Sequence, residues 1–278
     1  MPIRLTDVVA AIGHSRKYRH LCRDMVTRVA AWAVSRSRSE ADAVKRAKRK
    51  LHQIHGAYMH GWDADAAHAL LDSLQPDPDV SALRPVCRRI MEQHASTRER
   101  LPALDGLYAD IFEVTGVPRR VLDLGCGLHP FALPWMNLPP ESEYAAWEVD
   151  GQMVALVNRF LALAGRRPLA RCRDVLARFP GEEADVILLM KMLPSLEQQR
   201  KGCSAEVLQV LNARFVVVSF PVRSMCGREK GMRAHYTRAM NNVLAECPWP
   251  TTTIELGREV FFVLDKRGTQ GEDATSGV

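Results

Sequence analysis

Through the first hundred residues, apolar side chains recur every three or four positions. Five stretches with this spacing predict amphipathic helices: "LTDVVAAI" from Leu5, "RHLCRDMVTRVAAWAV" from Arg19, "SEADAVKRAKRKLHQIHGAYM" from Ser39, "DADAAHALLDSL" from Asp63 and "SALRPVCRRIMEQH" from Ser81. In the third, Val44, Ala47, Leu51 and Ile54 fall on one stripe, while Lys45, Arg46, Lys48, Arg49 and Lys50 cover most of the rest. Ser39 with Asp42 three residues on is a weak capping box and marks its start. "ASTRERLPALDGLYADIFEVTG" predicts one more helix, with Ser96 and Glu99 at capping-box spacing and Leu101, Leu104, Leu107 and Ile111 as its apolar stripe.

From residue 119 the rhythm changes. "RRVLDLG", "EYAAWEVD", "PLARCRD", "ADVILLMK" and "RFVVVSFP" read as strands rich in Val, Ile and Leu. Helical patterns lie between or after them in "GQMVALVNRFLALAG", "SLEQQRKGCSAEVLQVL" and "MRAHYTRAMNNVLAE". Such alternation predicts a parallel, doubly wound sheet. "TTTIEL" and "EVFFVLDK" are separated by only "GR", so they predict a closing antiparallel hairpin. The fold class expected is α/β, with a seven-stranded sheet like that of class I (Rossmann-like) S-adenosylmethionine-dependent methyltransferases, after an all-helical N-terminal domain. The boundaries read from the sequence are 1–93 for the helical domain, 94–266 for the methyltransferase domain and 267–278 for a polar, disordered tail.

Composition narrows the classes. A chain of 278 residues, 47% hydrophobic and 25% charged, can bury a real core. It contains no apolar run of the roughly 18 residues that a membrane span needs and no signal-like N-terminus, so a cytoplasmic protein is expected. The seven cysteines are scattered and never form a CxxC pair, which argues for reduced thiols and against a zinc knuckle. His52, His55 and His60 lack cysteine partners or an HExxH phase, so no metal is assigned. The net charge of +6 is uneven: residues 1–55 hold thirteen Lys/Arg against four Asp/Glu, a net of +9, which leaves −3 on the remaining 223 residues. A polyanion partner and a merely solvated helix face both account for that segment.

The candidate chemistry lies in "VLDLGCGLHP". A glycine turn after the first strand lets backbone approach a ligand closely. Gly125 and Gly127 match the start of a dinucleotide fingerprint, but Pro130 stands where its third glycine should be. Asp123 would repel a pyrophosphate and suits a ligand bearing an ammonium and a sulfonium, as S-adenosylmethionine does. Glu148 ends the second strand 25 residues later, where a carboxylate can accept the ribose hydroxyl hydrogens. Asp174 ends the third and can accept from the adenine amine.

Beyond these residues, "HASTRERLPALDGLY", "DLGCGLHPFALPWMNLP", "MLPSLEQQRKG" and "SFPVRSMCGREKGM" together resemble the aminoglycoside-resistance 16S ribosomal RNA methyltransferases that modify N7 of a guanine in the decoding A site. The resemblance runs from "SRKYR" at 15–19 to "FFVLDK" at 261–266. It implies that the helical extension docks on 16S rRNA in the small (30S) ribosomal subunit. It also implies further cofactor contacts from Tyr58, His94, Ala95, Ser96, Arg100, Val175, Met190 and Gln199, with Arg100 gripping the methionine carboxylate. Many relatives carry aspartate where this chain has Glu148. Guanine N7 has an unprotonated lone pair, so no general base is needed and positioning residues are expected. Candidates are Ser219 on the base edge, Phe220 stacking on the base and Arg223 on a phosphate. Arg16, Lys17, Lys45, Arg46, Lys48, Arg49, Lys191, Lys201, Arg223, Arg228 and Lys230 make up the expected rRNA-binding set. A methyltransferase acting on another A-site rRNA nucleotide would keep both the cofactor set and the basic helices; a small-molecule methyltransferase would keep the cofactor set without needing those helices; a noncatalytic ribosome-binding module would keep the helices alone.

Overall fold

The computed structural model describes residues 2–56, 61–221, 232–247 and 249–268. Twelve α-helices and seven strands are described: α1 Leu5–Gly13, α2 Arg23–Val34, α3 Glu40–Leu51, α4 Ala64–Asp72, α5 Val80–Met91, α6 Ala95–Arg98, α7 Leu104–Thr115, β1 Arg120–Leu124, α8 Leu133–Met136, β2 Glu143–Glu148, α9 Gly151–Leu163, β3 Leu169–Cys172, β4 Ala184–Met190, α10 Met192–Gln199, α11 Cys203–Val210, β5 Ala213–Pro221, α12 Met232–Glu246, β6 Thr251–Leu256 and β7 Glu259–Asp265. The strands form one sheet in the order β3-β2-β1-β4-β5-β7-β6. Among the described residues no helix is long and apolar enough to cross a membrane. The chain divides into two compact units, the first made of Met1–Arg98, Gly125–Phe131 and Ala145–Arg178, the second of Glu99–Leu124, Ala132–Tyr144 and Phe179–Val278.

In the first unit, α1, α2 and α3 bury a cluster that includes Val8, Ile12, Met25, Val29, Ala30, Ala43, Ala47 and Leu51. Of the stripe expected on α3, Ala47, Leu51 and Ile54 are buried, Val44 is half-buried and Ala43 joins them. Ser39 caps this helix by accepting from the Asp42 N–H at 3.2 Å, and the Asp42 carboxylate turns instead to Arg46 at 2.8 Å. Asp63 and Asp79 cap α4 and α5 in the same way. Strands β2 and β3 run parallel, Glu148 opposite Cys172, with α9 between them in sequence.

In the second unit, β1, β4 and β5 are parallel, and β5–β7 and β7–β6 are antiparallel, so the closing hairpin forms as expected. Its turn places Gly257 at φ +60°, backbone that side-chain-bearing residues adopt only with strain.

Two predicted helices are broken. The segment from Ala95 is a short helix, a 3-10 turn at Leu101–Ala103 containing Pro102, and then α7. Ser96 therefore lies inside α6 and does not cap a long helix, although the stripe of Leu101, Leu104, Leu107 and Ile111 is buried as expected. The segment 195–211 splits into α10 and α11 at Gly202, φ +79°, where the Glu197 carboxylate accepts from the N–H groups of Gly202 and Ser204 at 2.7 and 2.8 Å.

Candidate functional site

After β1 the backbone passes through Gly125 at φ +61° and Gly127 at φ +50°. A Cβ on Gly127 would meet the His94 ring at 3.8 Å, an ordinary contact, so the glycine answers a backbone requirement and not a shortage of room. Glu148 fixes this turn. One carboxylate oxygen accepts from the Gly127 N–H at 2.8 Å; the other accepts from Val149 and Asp150 N–H at 2.7 and 3.3 Å. Burial pushes the Glu148 carboxyl above its usual range, against the Gly127 N–H and the neighbouring His55, which pull it down. The expected ribose acceptor is thus first a clamp on the glycine turn, and it keeps spare lone pairs, since a carboxylate has about four.

Asp150 caps α9 by accepting from the Gln152 and Met153 N–H groups, and His55 lies 3.2 Å from its other oxygen. Asp174 is buried, and both its oxygens are engaged: Arg28 Nε donates at 2.7 Å and the Leu176 N–H at 3.0 Å. The cation that meets Asp174 therefore comes from the basic N-terminal segment. Val175, beside it, is 2% exposed.

In the second unit Asp123 is fully buried and accepts from the Tyr144 hydroxyl at 2.7 Å. A separate group of three residues surrounds Glu259. Arg100, 1% exposed, donates from Nη2 and Nε to one Glu259 oxygen at 2.8 and 3.3 Å, while Nη1 has no hydrogen-bond partner among the described residues. Lys191 Nζ lies 3.0 Å from the other Glu259 oxygen and 2.6 Å from Glu99, and the Ser219 hydroxyl donates to Glu259 at 3.0 Å. Burial alone would raise the Glu259 carboxyl, but Arg100 and Lys191 outweigh it and hold the carboxyl below its usual range. Lys191 follows β4 directly and is one of three non-glycine residues described with positive φ, at +58°. Its N–H donates to the Ser219 hydroxyl at 3.1 Å.

These contacts revise three expectations. Lys191 is a half-buried member of an ion-pair cluster and not a free surface cation for RNA. Ser219 is fully buried with its hydroxyl committed to Glu259. Phe220 is 3% exposed and meets Phe262 edge-on at 5.8 Å, so its ring packs the sheet and offers no open face to a base. Ser219 and Phe220 share one cause: β5 lies between β4 and β7 and is buried over most of its length.

The remaining expected residues are scattered in character. His94 is buried and Ala95 and Ser96 half-buried at the start of α6; Met190 is buried, and Gln199 donates to the Ser195 carbonyl at 3.2 Å. Arg16, Lys17, Lys45, Arg46, Arg49 and Lys201 are exposed and Lys48 half-buried. Tyr58, Arg223, Arg228 and Lys230 lie outside the described residues, as does the tail from 269. Sequence reasoning missed Arg28, His55, Tyr144, Asp150 and Glu259. Only Glu259 carried a visible signal, as an acid opening an otherwise apolar strand.

The family model described as "Ribosomal RNA methyltransferase (FmrO)" matches residues 14–263. A "16S rRNA (guanine(1405)-N(7))-methyltransferase" of Micromonospora echinospora is 37% identical over 266 residues, covering 95% of this chain and 97% of that protein. A protein of the same name from Frankia casuarinae is 38% identical over 260 residues, covering 91% and 90%. Among solved structures, the 16S rRNA methyltransferase RmtF in complex with S-adenosyl-L-homocysteine aligns at a TM-score of 0.79 and 32% identity, covering 95% of this chain and 99% of that one. The chain belongs to the FmrO family of ribosomal RNA methyltransferases.

Proposed function

We propose that the protein transfers a methyl group from S-adenosylmethionine to N7 of a guanine in the decoding A site of 16S rRNA, with the small ribosomal subunit in the cytoplasm as its substrate. The observation that carries this reading is chain-long similarity to relatives named for that reaction. The modified base would carry a positive charge and a methyl group where polycationic aminoglycosides bind, and so would confer resistance to them.

The chain's own groups suit the cofactor. Arg100 offers a buried N–H without a partner for a carboxylate, Asp123 an acid for an ammonium, and the turn at Gly125 and Gly127 a close backbone approach. Glu148 is the acceptor for the ribose hydroxyls and Asp174, with Val175, marks the adenine side. His94, Ala95, Ser96, Met190 and Gln199 complete the expected lining, with Tyr58 over it. When bound, the cofactor supplies an electrophilic methyl on a sulfonium. Guanine N7 attacks with its own lone pair, so the protein's work is alignment and exclusion of water. Arg100 and Lys191, held by Glu259, are positioning residues in this scheme; Ser219 acts through Glu259. The exposed cations of α3, with Arg16, Lys17 and Lys201 and the loop cations Arg223, Arg228 and Lys230, hold rRNA phosphates.

The test is transfer from labelled S-adenosylmethionine to purified small subunits. Label in 16S rRNA, retained after protein is removed, is the expected result. Transfer to small-molecule acceptors with none to subunits, or no transfer at all, would overturn the reading.

A further inference from the structure

Two cysteines outside the chemistry above meet at one carbonyl. Cys22 is the N-cap of α2: its sulfur accepts from the Met25 N–H at 3.5 Å, and its own N–H donates to the Val149 carbonyl at 2.7 Å. Cys172, the last residue of β3, donates its thiol to the same carbonyl at 3.5 Å. The Val149 carbonyl is thus the common neighbour of both residues. Their backbones are clasped: Leu21 bridges Asp150, the Gly151 N–H donates to the His20 carbonyl at 2.8 Å, and a Cβ on Gly151 would stand 3.1 Å from that carbonyl and 3.9 Å from the Cys172 sulfur.

The members differ as a redox pair requires. Cys172 is partly exposed, whereas Cys22 is 6% exposed. The neighbouring Cys22 thiol lowers the Cys172 thiol, against burial and the carboxylates of Glu148, Asp150 and Asp24. The neighbouring Cys172 thiol, with burial, pushes Cys22 up, so Cys172 is the member of the pair that ionises more readily. By contrast, burial raises the thiols of Cys87, Cys203 and Cys247.

We propose that Cys22 and Cys172 form an oxidisable dithiol that closes to a disulfide when the protein meets hydrogen peroxide. The Cys172 thiolate attacks the peroxide, the O–O bond breaks, and the departing hydroxide takes a proton to leave as water. Cys172 is then a sulfenic acid. The Cys22 sulfur attacks it, the S–O bond breaks as the S–S bond forms, and the Cys22 proton leaves with the second water. Two thiols lose two electrons, and one peroxide becomes two waters. The bond would tie the start of α2 to the end of β3, two residues before Asp174, where Arg28 of the same helix already pairs. Nothing in this step depends on the cofactor reading.

The full chain, reduced and freed of reductant, is treated with hydrogen peroxide in native buffer and analysed by intact mass and peptide mapping. The expected result is a loss of two hydrogens, reversed by dithiothreitol, and a cross-linked peptide joining Cys22 to Cys172. In Cys22→Ser the loss disappears and dimedone traps a sulfenic acid on Cys172. Oxygen addition at Cys172 in the native chain without hydrogen loss, or a native cross-link between any other pair, would overturn the proposal. Oxidation in urea distinguishes native geometry from mere reactivity: the Cys22–Cys172 preference should vanish there, and a preference that persists counts against the proposal.

Discussion

Glu259 has 2% of its surface exposed and two cations within 3.0 Å, so its charge is compensated inside the fold and nowhere else. Glu259→Gln leaves Arg100 and Lys191 as buried cations with one fewer anion, which should cost about 3–5 kcal/mol. The denaturant midpoint reads this directly. Because the folded carboxyl lies below its unfolded value of about 4.3, its stabilisation is full above that pH and is lost as pH falls through the folded value. Wild-type stability should therefore drop at acid pH by a component that Glu259→Gln lacks, and parallel acid profiles would contradict this assignment. Asp123→Asn and Arg100→Lys should each weaken S-adenosylmethionine about tenfold or more in a calorimetric titration; unchanged affinity in both removes them from the cofactor site. Asp123 and Glu148 were legible because an acid after an apolar run marks a strand end. Their partners were not. Tyr144 is 21 residues from Asp123, Arg28 is 146 from Asp174 and Arg100 is 159 from Glu259, and no periodicity encodes such pairings.

Among the elements, β1, β4, β5 and β7 are readable because each is a short apolar run rich in Val, Ile, Leu or Phe, while β6 is readable from its β-branched threonines and from "GR", which leaves space only for a tight turn. The helical spacing from 95 and from 195 is interrupted in the structure, each segment forming two helices. Apolar residues recur on both sides of each break, while Pro102 and Gly202 redirect the backbone. Glu197 holds the second break with two N–H bonds. Glu197→Ala should lower stability by about 1–2 kcal/mol in thermal melts with strand signals retained, since the loss resembles that of a helix cap. A neutral result would mean that Gly202 alone sets the bend.

At the scale of the whole molecule, the charge is divided: +9 in residues 1–55 and −3 in the rest. Part of the basic face is already used internally, by Arg28 on Asp174 and by Arg46 on Asp42. Lys45, Lys48 and Arg49 have no such ion pair among the described residues and are the cations that the proposed docking on rRNA would use. Neutralising Lys45, Arg46, Lys48 and Arg49 together should weaken binding to small subunits and flatten its salt dependence, by roughly 0.7–0.9 in log–log slope for each phosphate no longer neutralised. Cofactor affinity should not move. Subunit binding indifferent to both salt and these changes would refute α3 as the docking face. The reaction itself is tested most directly by borohydride reduction and aniline cleavage of 16S rRNA from small subunits incubated with the protein and S-adenosylmethionine, since N7-methylguanosine is cleaved selectively. A single new break at one decoding-site guanine, absent with Asp123→Asn at limiting cofactor, is the predicted result. Methyl incorporation with no cleavable site, or with breaks scattered over many guanines, would contradict it.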